Sequence, residues 1–225
     1  MNRKTILLAD DHSIIRDGLR SILEKEFEVV GALKDGRTLL KEAERLKPDV
    51  VVADISMPVL NGIEATRQLR RSLPRTKVVI LTMHADVIYA TEVFEAGASA
   101  YVLKSAPSEE VLAAVRDVLA GKKYVSPQLA PELPAPPSER IRKHTVQLTS
   151  RQREVLQLLA EGRSAKEIAD LLSISSRTVE FHKYNMMHVL RLRSTAELIR
   201  YAIRHHILPA NDCAVLPADS SHENF

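Results

Sequence analysis

The chain has 225 residues, a length that favours two domains. Of these residues 45% are hydrophobic and 27% charged, a composition typical of an ordinary soluble globular protein. No segment approaches the roughly 18 uninterrupted apolar residues of a membrane span, and the apolar run near the start is too short for a signal peptide. The only cysteine, Cys213, cannot form a disulfide within the chain. We therefore expect a cytoplasmic protein without a membrane partner.

Five short apolar runs alternate with five amphipathic stretches in the first 125 residues. The runs contain Val, Ile and Leu without polar alternation, as strands do when both faces of a sheet are covered. We predict an α/β domain with a doubly wound, five-stranded parallel sheet, whose right-handed crossovers place all carboxyl ends of the strands on one edge. The predicted strands are 5–9, 28–33, 50–54, 77–82 and 100–103, and the predicted helices lie near 13–25, 37–46, 62–71, 86–95 and 108–120.

Polar side chains stand at four of these strand ends. Asp10 and Asp11 follow the first strand, Asp54 ends the third, Thr82 ends the fourth and Lys104 follows the fifth. Three carboxylates in one place repel each other, and a hard cation with oxygen ligands, such as Mg²⁺, relieves that repulsion. Asp54 can then attack a phosphorus centre, since the metal and Lys104 neutralise charge on the transferring oxygens and Thr82 can donate a hydrogen bond. The pattern predicts an aspartyl phosphate.

Residues 4–121 resemble the response-regulator receiver domain, which has a flavodoxin-like fold. The motifs that carry the resemblance are ADD at 9–11, DISMPVLNGIE at 54–64, LTMHA at 81–85 and GASAYVLKSAPSEEVLAAV at 97–115. The resemblance implies that Asp54 accepts a phosphoryl group from a sensor histidine kinase.

The resemblance also implies the roles of the neighbouring residues. Asp11, Asp54 and the backbone carbonyl of Ser56 would hold Mg²⁺, with Asp10 acting mainly through water. Lys104 would bind the phosphoryl group, and Thr82 and Tyr101 would form the family's switch pair, in which the hydroxyl moves to the phosphate and the aromatic ring turns inward.

The sequence departs from many receivers directly after Lys104. Those receivers have a proline next to the lysine with a cis bond between the two, whereas here Ser105 and Ala106 precede Pro107. A cis bond at Lys104–Ser105 would cost about 3 kcal/mol more than the trans form. The sequence leaves both isomers open at this bond.

Two segments have the composition of non-globular chain. Residues 126–147 hold five of the eleven prolines and are predicted to form an extended, semi-rigid linker, because proline removes a backbone donor and fixes φ. Residues 209–225 are polar and are predicted to be a disordered tail. The predicted domains are therefore 1–125 and 148–208.

The second domain is predicted to be all helical and smaller than the first. Residues 149–162 and 164–172 each begin with a capping box, and a short Ser-rich turn leads into a third helix. Residues 140–208 carry 13 Lys and Arg against 6 Asp and Glu, a net charge of +7, whereas residues 1–125 carry 19 against 18. A basic helical pair suits the major groove of DNA, but a structural bundle with a solvated basic surface has the same spacing.

A resemblance favours DNA. Residues 148–208, with the motif LTSRQREVLQLLAEGRSAKEIADLLSISSRTVEFH, resemble the LuxR-type helix-turn-helix domain of NarL/FixJ-type regulators. The resemblance implies a recognition helix at about 176–190 and a last helix, STAELIRYAIRHHI, that pairs two such domains. The family usually has Gly where this chain has Arg191, so the end of the recognition helix is expected to differ. The implied DNA contacts are Lys166, Ser176, Arg177, Thr178, Glu180, His182, Lys183 and Tyr184.

The sequence thus predicts a transcriptional response regulator in which phosphorylation of Asp54 promotes a homodimer and binding to promoter DNA. It would not be an enzyme beyond its own phosphoryl transfer and slow self-dephosphorylation. One alternative is a phosphohydrolase of the haloacid-dehalogenase type, but that family needs a second acid two residues after the nucleophile, where this chain has Ser56. A receiver-like scaffold that is never phosphorylated would lack a pocket acid, and none is missing.

Overall fold

The computed structural model describes residues 3–131, 148–205 and 207. Most of the predicted linker at 126–147 and the whole predicted tail at 209–225 lie outside these residues, so both stay predictions. Within the described part of the chain, no helix is long and apolar enough to cross a membrane.

The first domain is a parallel sheet with helices on both faces, as predicted, and its strand order is β2-β1-β3-β4-β5-β6. The sheet has one strand more than the five expected, because a two-residue strand is too short to show a pattern in the sequence. The elements are β1 Thr5–Ala9, α1 Ser13–Leu23, β2 Glu28–Leu33, α2 Gly36–Leu46, β3 Val50–Asp54, α3 Gly62–Ser72, β4 Lys77–Thr82, α4 Val87–Ala96, β5 Ala100–Leu103, α5 Ser108–Leu119 and β6 Tyr124–Val125.

The central strands are held by two apolar cores, one on each face of the sheet. In β1, Leu7 and Ala9 lie in the core shared with α2, α3 and α4, whereas Ile6 and Leu8 lie in the core shared with α1 and α5. All four side chains are fully buried, and burying a large aliphatic side chain contributes about 1.5–3 kcal/mol. Burial on both faces fixes the positions of the strand ends, and therefore the positions of the polar residues that follow them.

The second domain consists of four helices around one apolar core. The two predicted capping boxes, Thr149 with Gln152 and Ser164 with Glu167, are both formed. Arg191 ends the third helix in the left-handed conformation, with φ of 56°, where glycine would meet less steric resistance. The helices are α6 Ser150–Ala160, α7 Ala165–Leu172, α8 Ser176–Leu190 and α9 Thr195–Arg204.

The two domains are in direct contact at residues 57–61, the docking loop, which begins three residues after Asp54. Gln157 of α6, only 2% exposed, accepts a hydrogen bond from the backbone N–H of Asn61 at 2.8 Å. Its amide donates to the backbone carbonyl of Met57 at 3.0 Å. One buried side chain therefore satisfies a backbone donor and a backbone acceptor of the other domain.

Val59 lies at the centre of the docking loop. Its N–H donates to Glu161 at 3.0 Å, and its side chain packs against the apolar core of the helical domain. The residue has φ of 69°, a conformation that is strained for a β-branched side chain. Asn61 adds a third link, since its Nδ2 donates to the carbonyl of Ile207 at 3.0 Å.

A buried ion pair joins α3 to α6 beside the docking loop. Glu64, 1% exposed, accepts a hydrogen bond from Arg153 at 2.8 Å. Burial works against the charge on Glu64, but Ser150 and Arg153 outweigh it, and the pKa of Glu64 is lowered. Because the lowered pKa depends on the other domain, this pair contributes to docking above the ordinary pKa of Glu64, and the contribution is lost as the pH falls through the lowered value.

Replacement of Gln157 by Ala is expected to separate the domains. The Met57 carbonyl and the Asn61 N–H would lose their partners in a buried site, and each unpaired buried group costs about 1–3 kcal/mol. Small-angle X-ray scattering of the full chain should then show a larger radius of gyration. Gln128→Ala, at an exposed position shortly after β6, is the control and should leave the radius unchanged. If Gln157→Ala also left it unchanged, the remaining contacts would be sufficient for docking.

Candidate functional site

The carboxyl ends of β1 and β3 bring three acids together. Ala9 pairs with Ala53 in the sheet, so the residues that follow, Asp10 and Asp54, are neighbours by register. Both are buried, whereas Asp11 is exposed. Ligand atoms of these acids and of His12 lie within 4.8 Å of one another. The acids predicted from the sequence to meet at this edge do meet.

Lys104, which follows β5, provides the positive charge of this pocket. Its Nζ lies 2.7 Å from a carboxylate oxygen of Asp10 and 2.8 Å from one of Asp54. Burial works against the ammonium charge, yet the two carboxylates outweigh it and raise the pKa of Lys104. Burial raises the pKa of Asp54 as well, although Lys104 opposes that effect. The Lys104–Ser105 bond is trans, since the described residues contain no cis peptide.

The donor atoms of the pocket suit a hard divalent cation. The pocket has three carboxylates but one ammonium, which pairs with Asp10 and Asp54, and this leaves a net negative charge for a cation to balance. The backbone of Ser56 donates a hydrogen bond to Asp54. The cluster is therefore consistent with a metal site, and the Ser56 carbonyl stays a predicted ligand.

Thr82 and Tyr101 are connected through His84. The hydroxyl of Tyr101 donates to the backbone carbonyl of His84 at 2.7 Å, and the Thr82 hydroxyl accepts a hydrogen bond from the backbone N–H of His84 at 3.1 Å. Tyr101 is fully buried, and burial raises the pKa of Tyr101. The aromatic ring thus points inward, the position that the resemblance gave to one state of the switch pair.

The second candidate site is the surface of α7 and α8. The predicted DNA contacts are not equally accessible there. Thr178, His182 and Lys183 are half-buried, and burial, followed by the charge of Arg151, lowers the pKa of His182. Lys183 pairs with Glu180 at 2.7 Å. The exposed members of the predicted set are Lys166, Ser176, Arg177, Glu180 and Tyr184.

Phe181 was absent from the predicted set although it is 61% exposed. The sequence prediction selected charged and polar side chains on this helix and passed over an apolar one. Helical spacing is the signal that could have found it, since Phe181 lies four residues after Arg177 and three before Tyr184, and residues at these spacings share one face.

Both halves of the chain match protein-family models. Residues 6–116 match the response regulator receiver domain, and residues 146–202 match the bacterial regulatory proteins of the luxR family. The chain is 38% identical to the oxygen regulatory protein NreC of Staphylococcus haemolyticus, over 90% of this chain and 98% of NreC. It is 37% identical to the response regulator GacA of Pseudomonas aeruginosa, over 91% of this chain and 98% of GacA.

Solved structures show the same two-domain likeness. The two-component response regulator RcsB, in a complex with DNA, matches with a TM-score of 0.56 at 29% identity, over 89% of this chain and 98% of RcsB. A structure of RcsB from Salmonella typhimurium, described for its conformational dynamism for DNA interaction, matches with a TM-score of 0.61 at 26% identity, over 91% of this chain and 99% of RcsB.

Proposed function

The chain belongs to the two-component response regulators with a LuxR-type DNA-binding domain, and we propose that it converts phosphorylation of Asp54 by a partner histidine kinase into tighter binding of promoter DNA. It is a DNA-binding regulator and not a conventional enzyme, so the phosphohydrolase alternative is not retained. With a kinase and promoter DNA as its partners, the protein would work in the cytoplasm.

One observation supports the choice of Asp54 above all others. It is the only pocket acid of the described residues that ends a strand, and it lies in one buried pocket with Asp10 and Lys104. A buried carboxylate in direct contact with an ammonium and next to further acids is suited to a reaction in which negative charge moves between oxygens.

Each residue of the pocket has a distinct part in the proposed reaction. Asp11, Asp54 and the Ser56 carbonyl would hold Mg²⁺, with Asp10 acting through water. When bound, the ion would neutralise charge on the transferring phosphoryl oxygens. A carboxylate oxygen of Asp54 attacks the phosphorus, and the phosphohistidine nitrogen of the kinase leaves. Lys104 then exchanges its ion pair with Asp54 for an ion pair with a phosphoryl oxygen.

Thr82 and Tyr101 would couple the presence of the new phosphoryl group to a conformational change at the surface of the domain. The Thr82 hydroxyl accepts a hydrogen bond from the backbone N–H of His84, and it would donate its own proton to a phosphoryl oxygen. Because Tyr101 is bonded to the carbonyl of the same residue, a movement of His84 reaches both members of the pair. The segment after β4 would therefore change shape when Asp54 is modified.

DNA would bind to the surface of α8 and the start of α7. Residues 140–208 carry a net charge of +7, which suits a polyanion. Arg177 and Tyr184 are exposed on α8, and Lys166 is exposed on α7, where it could contact a phosphate. The remaining contacts that we propose are Ser176, Thr178, Glu180, His182 and Lys183.

Phosphorylation is expected to produce a homodimer that binds paired half-sites. Once two receivers associate, each DNA-binding domain meets its partner at a raised effective concentration, which adds affinity without a new base contact. To reverse the ratio of active to inactive protein from 1:99 to 99:1, phosphorylation must favour the active state by about 5.5 kcal/mol. Sedimentation of the phosphorylated chain should show a dimer, and its affinity for two half-sites should exceed that for one.

The control for this prediction is the Asp54→Asn chain treated with the same phosphodonor, which should stay monomeric. An unchanged mass and an unchanged two-site affinity after phosphorylation would contradict the proposed dimer and favour release of the docked domain as the signal.

A further inference from the structure

One face of α8 carries two exposed aromatic rings. Phe181 is 61% exposed and Tyr184 is 68% exposed, and they are three residues apart, with Arg177 one turn before Phe181. The opposite face of the helix is fixed in the core by Val179 and Met186, both fully buried. The core contacts therefore hold Phe181 on the outer face, where its ring is mostly exposed and meets the ring of His182 edge-on.

A single exposed apolar residue is common on protein surfaces and needs no explanation. The position of Phe181 is more specific, because it lies in the second turn of the helix proposed to enter the major groove, and the early residues of such a helix reach the base edges. Its neighbours on this face are hydrogen-bonding side chains, Arg177 and Glu180. Phe181 alone among them can make only apolar contacts.

The major groove presents one prominent apolar group, the 5-methyl group of thymine. We propose, on the basis of the DNA-binding function proposed above, that Phe181 selects the operator by contacting a thymine methyl group, so that each half-site contains an A·T pair read by this ring. Duplex DNA is the occupant that the charge of the domain favours, since residues 148–208 carry ten Lys and Arg against six Asp and Glu.

The experiment begins with selection of duplexes from a random-sequence pool by the full chain. Each thymine of the selected site is then replaced, one at a time, by deoxyuridine, which removes only the methyl group. At one position in each half-site we expect the affinity to fall about fourfold, the equivalent of one buried methyl group. In Phe181→Ala this ratio between the thymine and uracil sites should fall to about one.

Val189→Ala is the matched control, because Val189 is an exposed apolar residue of the same helix, two turns further on. It should keep the fourfold ratio, and the melting temperatures of both variants should equal that of the wild type. Three results would overturn the proposal. The affinity could be the same with and without the methyl group at every thymine, or the ratio between the thymine and uracil sites could stay at fourfold in Phe181→Ala. The third is that Phe181→Ala loses affinity equally for selected and for unrelated DNA. Failure of the pool to yield any preferred sequence would contradict DNA recognition itself, which separates the two proposals.

Discussion

Replacement of Asp54 by Asn is expected to abolish phosphorylation of the purified chain by a small-molecule phosphodonor in Mg²⁺. The wild type should become phosphorylated without a kinase, because the proposed nucleophile, the proposed metal ligands and Lys104 lie in one pocket. Asparagine removes the attacking oxygen and one negative ligand while keeping the shape of the side chain. Intact-mass measurement checks the result.

Two controls limit the interpretation of that experiment. Asp117→Asn, a carboxylate at the surface of the same domain that pairs with Lys122 at 3.4 Å, should be phosphorylated as the wild type is. EDTA should prevent labelling of the wild type. Labelling that persisted in Asp54→Asn, or that proceeded equally in EDTA, would refute the assignment of the pocket.

The affinity of the full chain for duplex DNA is expected to fall steeply with salt. Residues 140–208, which include the end of the predicted linker, carry a net charge of +7. A segment that neutralises several phosphates must release their counterions when it binds, and such proteins lose about 10³-fold or more in affinity between roughly 50 and 200 mM salt. In Lys183→Ala the slope of log K against log salt should decrease by about one, the contribution of one phosphate contact. Titration at several salt concentrations measures the slope.

Lys122→Ala removes the same charge from the first domain, where Lys122 pairs with Asp117, and should leave the slope unchanged. The assignment of the basic surface would be wrong if the wild type had no salt dependence, or if Lys122→Ala reduced the slope as much as Lys183→Ala.

The positions of β1, β3, β4 and β5 could be predicted from the sequence because both faces of these strands are buried. Val50 to Ala53 are fully or almost fully buried, so an unbroken apolar run ends where Asp54 begins. The same regularity predicted which acids would meet, since parallel strands end at one edge. Asp54 could thus be proposed as the phosphoacceptor before any side chain was placed.

Contacts between distant segments could not be predicted in this way. Gln157 bonds to residues about a hundred positions earlier, and nothing in its local sequence distinguishes it from an exposed glutamine on a helix. The half-burial of His182 likewise depends on how α8 packs against its neighbours. Residue type predicted the polar members of that surface but not the orientation of each side chain.

The strained backbone of Val59 has a thermodynamic consequence. A residue in such a conformation costs on the order of 1–3 kcal/mol and keeps it only while its surroundings compel it. Here the surroundings include Glu161 and the core of the other domain, while the same loop begins three residues after Asp54, the proposed phosphoacceptor. If phosphorylation of Asp54 favours another shape of the docking loop, it changes the free energy of docking. By thermodynamic linkage, docking then changes the free energy of phosphorylation by the same amount. An isolated receiver is therefore expected to differ from the full chain in how readily Asp54 is phosphorylated.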